Sequence, residues 1–502
     1  METHSFYVMA DLIRPPLLTI KYLLTIFLSF LLCACTPKNE IQVTILNEAL
    51  STGYIGNGVE WDPYDEAEAW GSALSEADWQ TLFQRLDYMR PGYVRCMINC
   101  PYRYYDWRTG NYDKNRNIES ISRLLKYCTE KNITVIYGEY NPPTEAMKSD
   151  PRWVDMSVDY LNYLVNDLGF SCIRYFVIFN EPDGHWAYPN GDYELWKSML
   201  LRFHQKMQEY SGLSEKVTFA GPDVVVKYTN PASAYNSVGW VEQTVKDVDP
   251  LIGVYDIHAY PGQAEVRKGD YAAILAEYKQ AVPAGKKIVL GEAGFKYGQP
   301  ADSLLMQEYN RRTENHPFTK GSDSNMLVYD YFYGLDMAQL CIEVMNSGYS
   351  GMAAWMLDDA MHSNSDSGIP KDIKLWGMWN ILGEEVFNDA SQEEVRPWYY
   401  TWSLMCRYFP AGSSILKTTF DRTQGVYIAA AERNGQYTVA AVNVDDSDKQ
   451  LNISIPFPNQ EKASLFVYED EQAIPVQSVV EWKSAMNTKI KSQSFVLITN
   501  ME

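Results

Sequence analysis

The chain has 502 residues, of which 46% are hydrophobic and 14% aromatic, and its formal net charge is -21. That length allows two or three domains, because domains run to roughly 100–200 residues and α/β barrels to about 250 or more. The acidic balance repels polyanions and so argues against nucleic acid as a partner, while 14 Trp and 37 Tyr supply flat faces suited to stacking on sugar rings or to filling a large core.

Taken from the N-terminus, Ile20 to Leu32 form a mainly apolar run with Arg14 ahead of it and Lys21 at its start. It is short for a membrane span of about 20 apolar residues and reads as a secretory signal. It closes in Leu32-Cys33-Ala34-Cys35, which resembles a bacterial lipobox with Cys35 as the lipid-accepting residue. The resemblance implies an exported lipoprotein, periplasmic or at the cell surface, touching the membrane only through its lipid. Residues 36–50 are expected to be a tether and an N-terminal strand. The remaining six cysteines, at 96, 100, 128, 172, 341 and 406, lie in apolar segments without zinc-site spacing, so buried free thiols are expected.

Residues 51–410 alternate short apolar runs with helical patterns. A first strand lies within Gly53–Tyr64. Ser75 and Asp78 read as a capping box, with Trp79, Leu82, Leu86 and Met89 at helical spacing behind it. Further strands are expected at Tyr93–Ile98, Ile133–Tyr137, Ile173–Phe179, Val217–Ala220 (stopped by Gly221-Pro222), Val254–Ile257, Lys287–Leu290 and Gly351–Met356. Helices are expected between them, and a long loop over Phe295–Asp323. Continuous apolar strands alternating with helices indicate a parallel sheet, and eight such units indicate a (β/α)8 barrel. No Gly-rich phosphate loop follows the first strand. From about 411 to 502 the segments become short and β-prone, with Asn434-Gly435 as a hairpin signal. A small C-terminal antiparallel β-sandwich is expected there.

The chemistry concentrates where strands end. Ile173 to Asp183 reads I-R-Y-F-V-I-F-N-E-P-D, and Lys287 to Gly294 reads K-I-V-L-G-E-A-G. Glu181 and Glu292 therefore follow the fourth and seventh barrel strands, at the carboxyl face where such barrels carry their active sites. Those strands stand on opposite sides of the mouth, so the two carboxylates can face each other across one sugar ring. Retaining glycoside cleavage needs two carboxyl groups about 5–5.5 Å apart, one protonated and one ionised.

Asn180-Glu181-Pro182 after strand four, with Glu292 after strand seven, resembles the retaining glycoside hydrolases of clan A. The resemblance implies Glu181 as general acid/base, Glu292 as nucleophile and Asn180 as a hydrogen-bonding partner of the sugar 2-hydroxyl. An ionised Glu292 nearby is expected to raise the pKa of Glu181 and keep it protonated. His258-Ala259-Tyr260 resembles the clan's His-x-Tyr, which implies that Tyr260 orients the nucleophile and His258 lines the same subsite. Trp355 resembles the platform under the cleaved sugar, and Arg95 an arginine near the nucleophile. Glu60, Trp61, Asp62, Glu139, Tyr140, Asp358 and Asp359 end strands and are further substrate-contact candidates. Trp107, Trp186, Trp376 and Trp379 lie in loops that could form outer subsites.

His-x-Tyr-Pro is nearer to family 39, and Gly-Glu-x-Gly to family 5. The implied substrates are plant-type oligo- or polysaccharides, with no cofactor and no metal: the six His are too scattered for a metal-dependent barrel hydrolase. The other readings are an inactive glycan-binding lipoprotein on the same fold, and a transglycosylase using the same residues.

Overall fold

Eight parallel strands close a barrel in chain order: Gly58–Glu60, Tyr93–Ile98, Thr134–Glu139, Ile173–Val177, Thr218–Val225, Ile252–Ala259, Ile288–Ala293 and Gly351–Ala354. The structure, a computed structural model, describes residues 39–69, 72–298, 300–316, 324–362, 374–455, 460–469 and 474–501. The expected signal segment and Cys35 lie outside the described residues. Among those described, no helix is long and apolar enough to cross a membrane.

The strands read as continuous apolar runs because both faces are buried. Tyr93, Met97, Ile136, Val177, Val254, Val289 and Ala353 fill the barrel interior. Their neighbours in sequence, such as Val94, Cys96, Val135, Tyr137 and Phe176, pack outward against the helices. The helix Glu76–Met89 starts from Ser75 in a complete capping box, with Ser75 N–H donating to Asp78 Oδ2 at 2.7 Å and Asp78 N–H to Ser75 Oγ at 3.2 Å. Cys96, Cys100, Cys128, Cys172, Cys341 and Cys406 are free and buried.

Two local expectations are corrected. The fifth strand does not stop at Gly221-Pro222 but runs to Val225, with a register shift against strand six between Pro222 and Val224. Proline there removes one donor, and the bulge absorbs the loss. The expected loop over Phe295–Asp323 contains a helix, Ser303–Asn315, with no fully buried residue, so it lacks the apolar stripe by which helices are recognised.

The second sheet is nine-stranded and mostly antiparallel. One of its strands comes from the other end of the chain. Glu40–Ser51 lies between Ser414–Thr419, to which it is antiparallel, and Lys449–Ser454, to which it is parallel. Residues 40–50, expected to be a tether and strand ahead of the barrel, are thus a structural part of this sheet. Ile41, Val43 and Ile45 alternate inward and share a core with Ile428, Leu451, Trp482 and Met486. Strands from both ends of the sheet meet in that core, so the sheet folds over on itself.

Its other face packs on the barrel. Along Val426–Arg433, Ile428 and Ala430 face the sheet's own core, whereas Tyr427, Ala429 and Ala431 join the barrel core. Tyr331 and Asn346, on the helix Tyr331–Asn346, bond to Tyr468 O at 3.0 Å and Ile428 O at 2.9 Å. Asn434 and Gly435 both have positive φ, 53° and 76°, as the two-residue hairpin between Arg433 and Gln436 requires.

Candidate active site

Glu181 lies beyond the end of strand four with φ 45°, in the left-handed region. Non-glycine residues there are uncommon and collect at functional sites. Glu292 is inside strand seven, next to a register shift against strand six. Gly291 precedes it because a Cβ there would fall 2.2 Å from Asp256 Oδ1. A carboxylate oxygen of Glu181, one of Glu292 and a ring nitrogen of His258 all lie within 4.8 Å of one another.

Arg95 is fully buried and is the hub of the site. Its Nη1 donates to Glu292 Oε1 at 2.6 Å and to both Glu60 oxygens at 2.9 Å. Its Nη2 donates to Asn180 Oδ1 at 2.8 Å and Asp223 Oδ2 at 3.0 Å. The remaining Glu292 oxygen, Oε2, accepts from the Tyr260 hydroxyl at 2.7 Å. Both oxygens of Glu292 are therefore held by donors, which orients the carboxylate. Asn180 Oδ1 is occupied by Arg95, which leaves the amide N–H groups as the remaining hydrogen-bonding capacity of that side chain's nitrogen. Burial pushes the Glu60 carboxyl well above the usual range, against the opposing charge of Arg95.

His258 is wedged between carboxylates. Its Nδ1 is 2.9 Å from Glu181 Oε1 and 3.4 Å from Glu292 Oε2, and its Nε2 is 3.2 Å from Asp223 Oδ1. Burial lowers its pKa, but the charges of Glu292 and Asp223 outweigh burial and raise it well above the ordinary value. The consequence corrects the expected state of Glu181. Burial pushes Glu181 up, yet the hydrogen bond and charge of His258, with Lys296, bring it below the usual value. Glu181 Oε2 also accepts from Trp186 Nε1 at 2.6 Å. Both shifts favour the proton on His258 over the proton expected on Glu181.

The structure brings Glu181, Glu292, Asn180, Arg95, His258 and Tyr260 into this one cluster. Trp355 stands at the end of strand eight, 8% exposed, with its ring stacked on His362 at 5.5 Å. His362 lies 2.7 Å from Asp62 Oδ2, which also accepts from Tyr140 at 2.8 Å. Glu60, Asp62 and Tyr140 thus border the mouth. Glu139 does not: it accepts from Tyr104, Trp153 and Ser157 under the helix layer. Asp358 binds Tyr64 and Trp379, and Asp359 pairs with Arg396. These acids, with the buried Trp61, serve packing. Among the loop tryptophans, Trp376 packs edge-on against Tyr260 at 5.7 Å, Trp379 is buried, and Trp107 and Trp186 are exposed.

Two buried acids at the site were missed in the sequence. Asp223 was hidden by reading Pro222 as the end of strand five. Asp256 was legible: Val254, Asp256 and His258 alternate along strand six and so share the inward face. Neither Asp256 oxygen has a hydrogen-bond partner, and burial, then Asp223, push its pKa up to about 7. Asp223, Asp256 and His258 also have ligand atoms within 4.8 Å of one another. The cationic Arg95 beside them and the proton held by His258 compete with any metal ion for those oxygens.

No protein-family model matches this sequence, and no curated protein sequence does. Solved structures do match. A GH51 arabinofuranosidase from Xanthomonas axonopodis pv. citri superposes with a TM-score of 0.62 at 12% identity, covering 92% of this chain and 99% of that one. A GH30 endoxylanase from Clostridium papyrosolvens C71 gives 0.58 at 14% identity, covering 92% and 99%. A GH39 enzyme from Xanthomonas axonopodis pv. citri gives 0.57 at 11% identity, covering 91% and 96%. The chains it resembles in fold are glycoside hydrolases. At these identities the likeness is one of architecture: a TIM barrel joined to a second sheet.

Proposed function

We propose that this protein is a retaining glycoside hydrolase that acts on plant-type oligo- or polysaccharides by double displacement. The observation that carries the reading is the approach of Glu181 and Glu292, with oxygens within 4.8 Å across the barrel mouth. That suits the roughly 5–5.5 Å separation of retaining enzymes and is too close for the 6.5–9.5 Å of inverting ones.

In the first step a Glu292 oxygen bonds to the anomeric carbon while the glycosidic C–O bond breaks and Glu181 gives its proton to the departing oxygen. In the second, Glu181 takes a proton from water, the water oxygen bonds to the anomeric carbon, and the bond to Glu292 breaks. Arg95 and Tyr260 hold the nucleophile. Asn180, aimed by Arg95, donates to the ring's 2-hydroxyl. His258 Nδ1 stores the proton, and its transfer over the 2.9 Å to Glu181 Oε1 arms the acid, so the two titrate as a pair. Trp355 supports the cleaved ring. Cys35 carries the lipid that tethers the exported enzyme; metabolic labelling with a fatty-acid analogue, lost in Cys35→Ala, tests that assignment.

Activity of a lipid-free protein starting at residue 39 on a panel of aryl glycosides and plant oligosaccharides, beside Glu292→Ala, tests the reading. Removing the covalent catalyst should cost at least ~1,000-fold, and the initial anomer of the product should match the substrate. Equal rates in both proteins, or an inverted product, would overturn it. Glycan binding without cleavage would mark a binding lipoprotein.

A further inference from the structure

Trp186 is 46% exposed although it is among the largest apolar side chains of the molecule. Its position is built rather than incidental. The indole lies against the backbone of Gly184, where a Cβ would come within 2.4 Å of the ring. Its ring centroid is 4.9 Å from that of Tyr228 and 4.9 Å from that of His185. The last two are tied together by a 2.8 Å contact between His185 Nδ1 and the Tyr228 hydroxyl. Two aromatic rings, from the loops after strands four and five, thus fix one indole and leave part of it open to solvent.

The open ring adjoins the acid/base. Glu181 Oε1 is engaged by His258, on the side where His258 also meets Glu292, whereas Oε2 is engaged by Trp186. The attacked sugar must sit against Glu292, and the atom protonated by Glu181 is the oxygen that leaves. Trp186 therefore flanks the departing part of the substrate. From this placement we propose that Trp186 is the platform for the first sugar ring of the leaving group, and that docking of that ring releases the indole N–H from Glu181 Oε2. A flat pyranose face against an indole buries apolar C–H surface on both partners. The released oxygen is then open to the glycosidic oxygen. The inference rests on the assignment of Glu181 as acid/base, and it names the substrate as one whose leaving group is itself a sugar.

The test compares xylobiose, cellobiose and gentiobiose with the corresponding glycosyl fluorides, whose leaving group has no ring and needs little protonation. In Trp186→Ala, kcat/KM for the disaccharide that is cleaved should fall at least ~10-fold further than that for its fluoride, since only the disaccharide loses a transition-state contact. Trp186→Phe keeps a ring but no N–H. It should largely restore KM, while the alkaline limb of the disaccharide profile moves to higher pH, because a donor that favours ionised Glu181 is gone. Parallel losses on both substrates, or none on either, would overturn the platform. A wild type that turns over neither substrate class would overturn the hydrolase reading instead. The platform is then read from Glu292→Ala protein labelled with 5-fluorotryptophan and titrated with the same disaccharides. The resonance that Trp186→Phe removes should shift, and a resonance that stays in place would refute it.

Discussion

Arg95 Nη1 lies 2.6 Å from Glu292 Oε1, and the same guanidinium spans Glu60, Asn180 and Asp223. One side chain from strand two thereby couples residues from strands one, four, five and seven. Arginine suits this place because its planar fork carries several fixed donors and never loses its charge.

Replacing Arg95 by Met should leave buried carboxylates without their counter-charge. A loss of about 3–5 kcal/mol is expected when one partner of a buried ion pair is removed. Arg95→Lys keeps the charge without the fork, so it should fold better than Arg95→Met yet lose activity. Thermal unfolding of both variants checks this, and a wild-type melting temperature for Arg95→Met would refute the hub.

Tyr260→Phe removes the 2.7 Å hydrogen bond to Glu292 Oε2. The ring contacts with Trp376 and Lys296 remain available. Bonds to charged groups contribute about 1.5–3 kcal/mol, so kcat should drop roughly 10- to 150-fold with an unchanged circular dichroism spectrum. An unaltered kcat would show that Tyr260 does not orient the nucleophile.

The pH profile should carry the signature of His258. Burial lowers its pKa, but Glu292 and Asp223 raise it well above the ordinary 6.5. Native His258 thus keeps a proton that the unfolded chain releases near pH 6.5. This contribution to stability is full below that pH and is lost as pH rises through the higher native pKa. Activity should fall over the same alkaline range, since the His258–Glu181 pair must supply one proton. In His258→Gln the alkaline limb of kcat/KM should shift; an identical limb would place the donated proton elsewhere.

Asp256 makes the same kind of prediction in a lower range of pH. Its pKa is pushed from 3.8 to about 7, so between those values the native state binds a proton that the unfolded state has released. Stability should decline as pH rises through that window, by up to about 1.4 kcal/mol per unit of pH. Asp256→Asn keeps the shape and removes the titration. It should melt higher than wild type near pH 8 and show a flatter pH dependence between 4 and 7. A pH slope equal to that of wild type would rule this out.

Some of this was written locally in the chain. Eight apolar runs, each closed by Gly, Pro or a polar residue, specify eight strands, because a strand buried on both faces needs nothing but continuous apolar residues. Glu181 and Glu292 follow from the position of such runs. Asn434-Gly435 and Ser75 act within a few residues of themselves and were equally legible. What only the tertiary structure decided depends on residues far apart. Glu40–Ser51 pairs with residues 414–419 and 449–454, and alternation along a strand names the buried face but not the partner. Asp223 enters the site through a bulge that a proline concealed. His258 is favoured over Glu181 as the proton's holder, because three carboxylates from different parts of the barrel converge on one imidazole. Local sequence determines conformation through contacts a few residues apart, whereas charge and burial are sums over everything that the fold brings near.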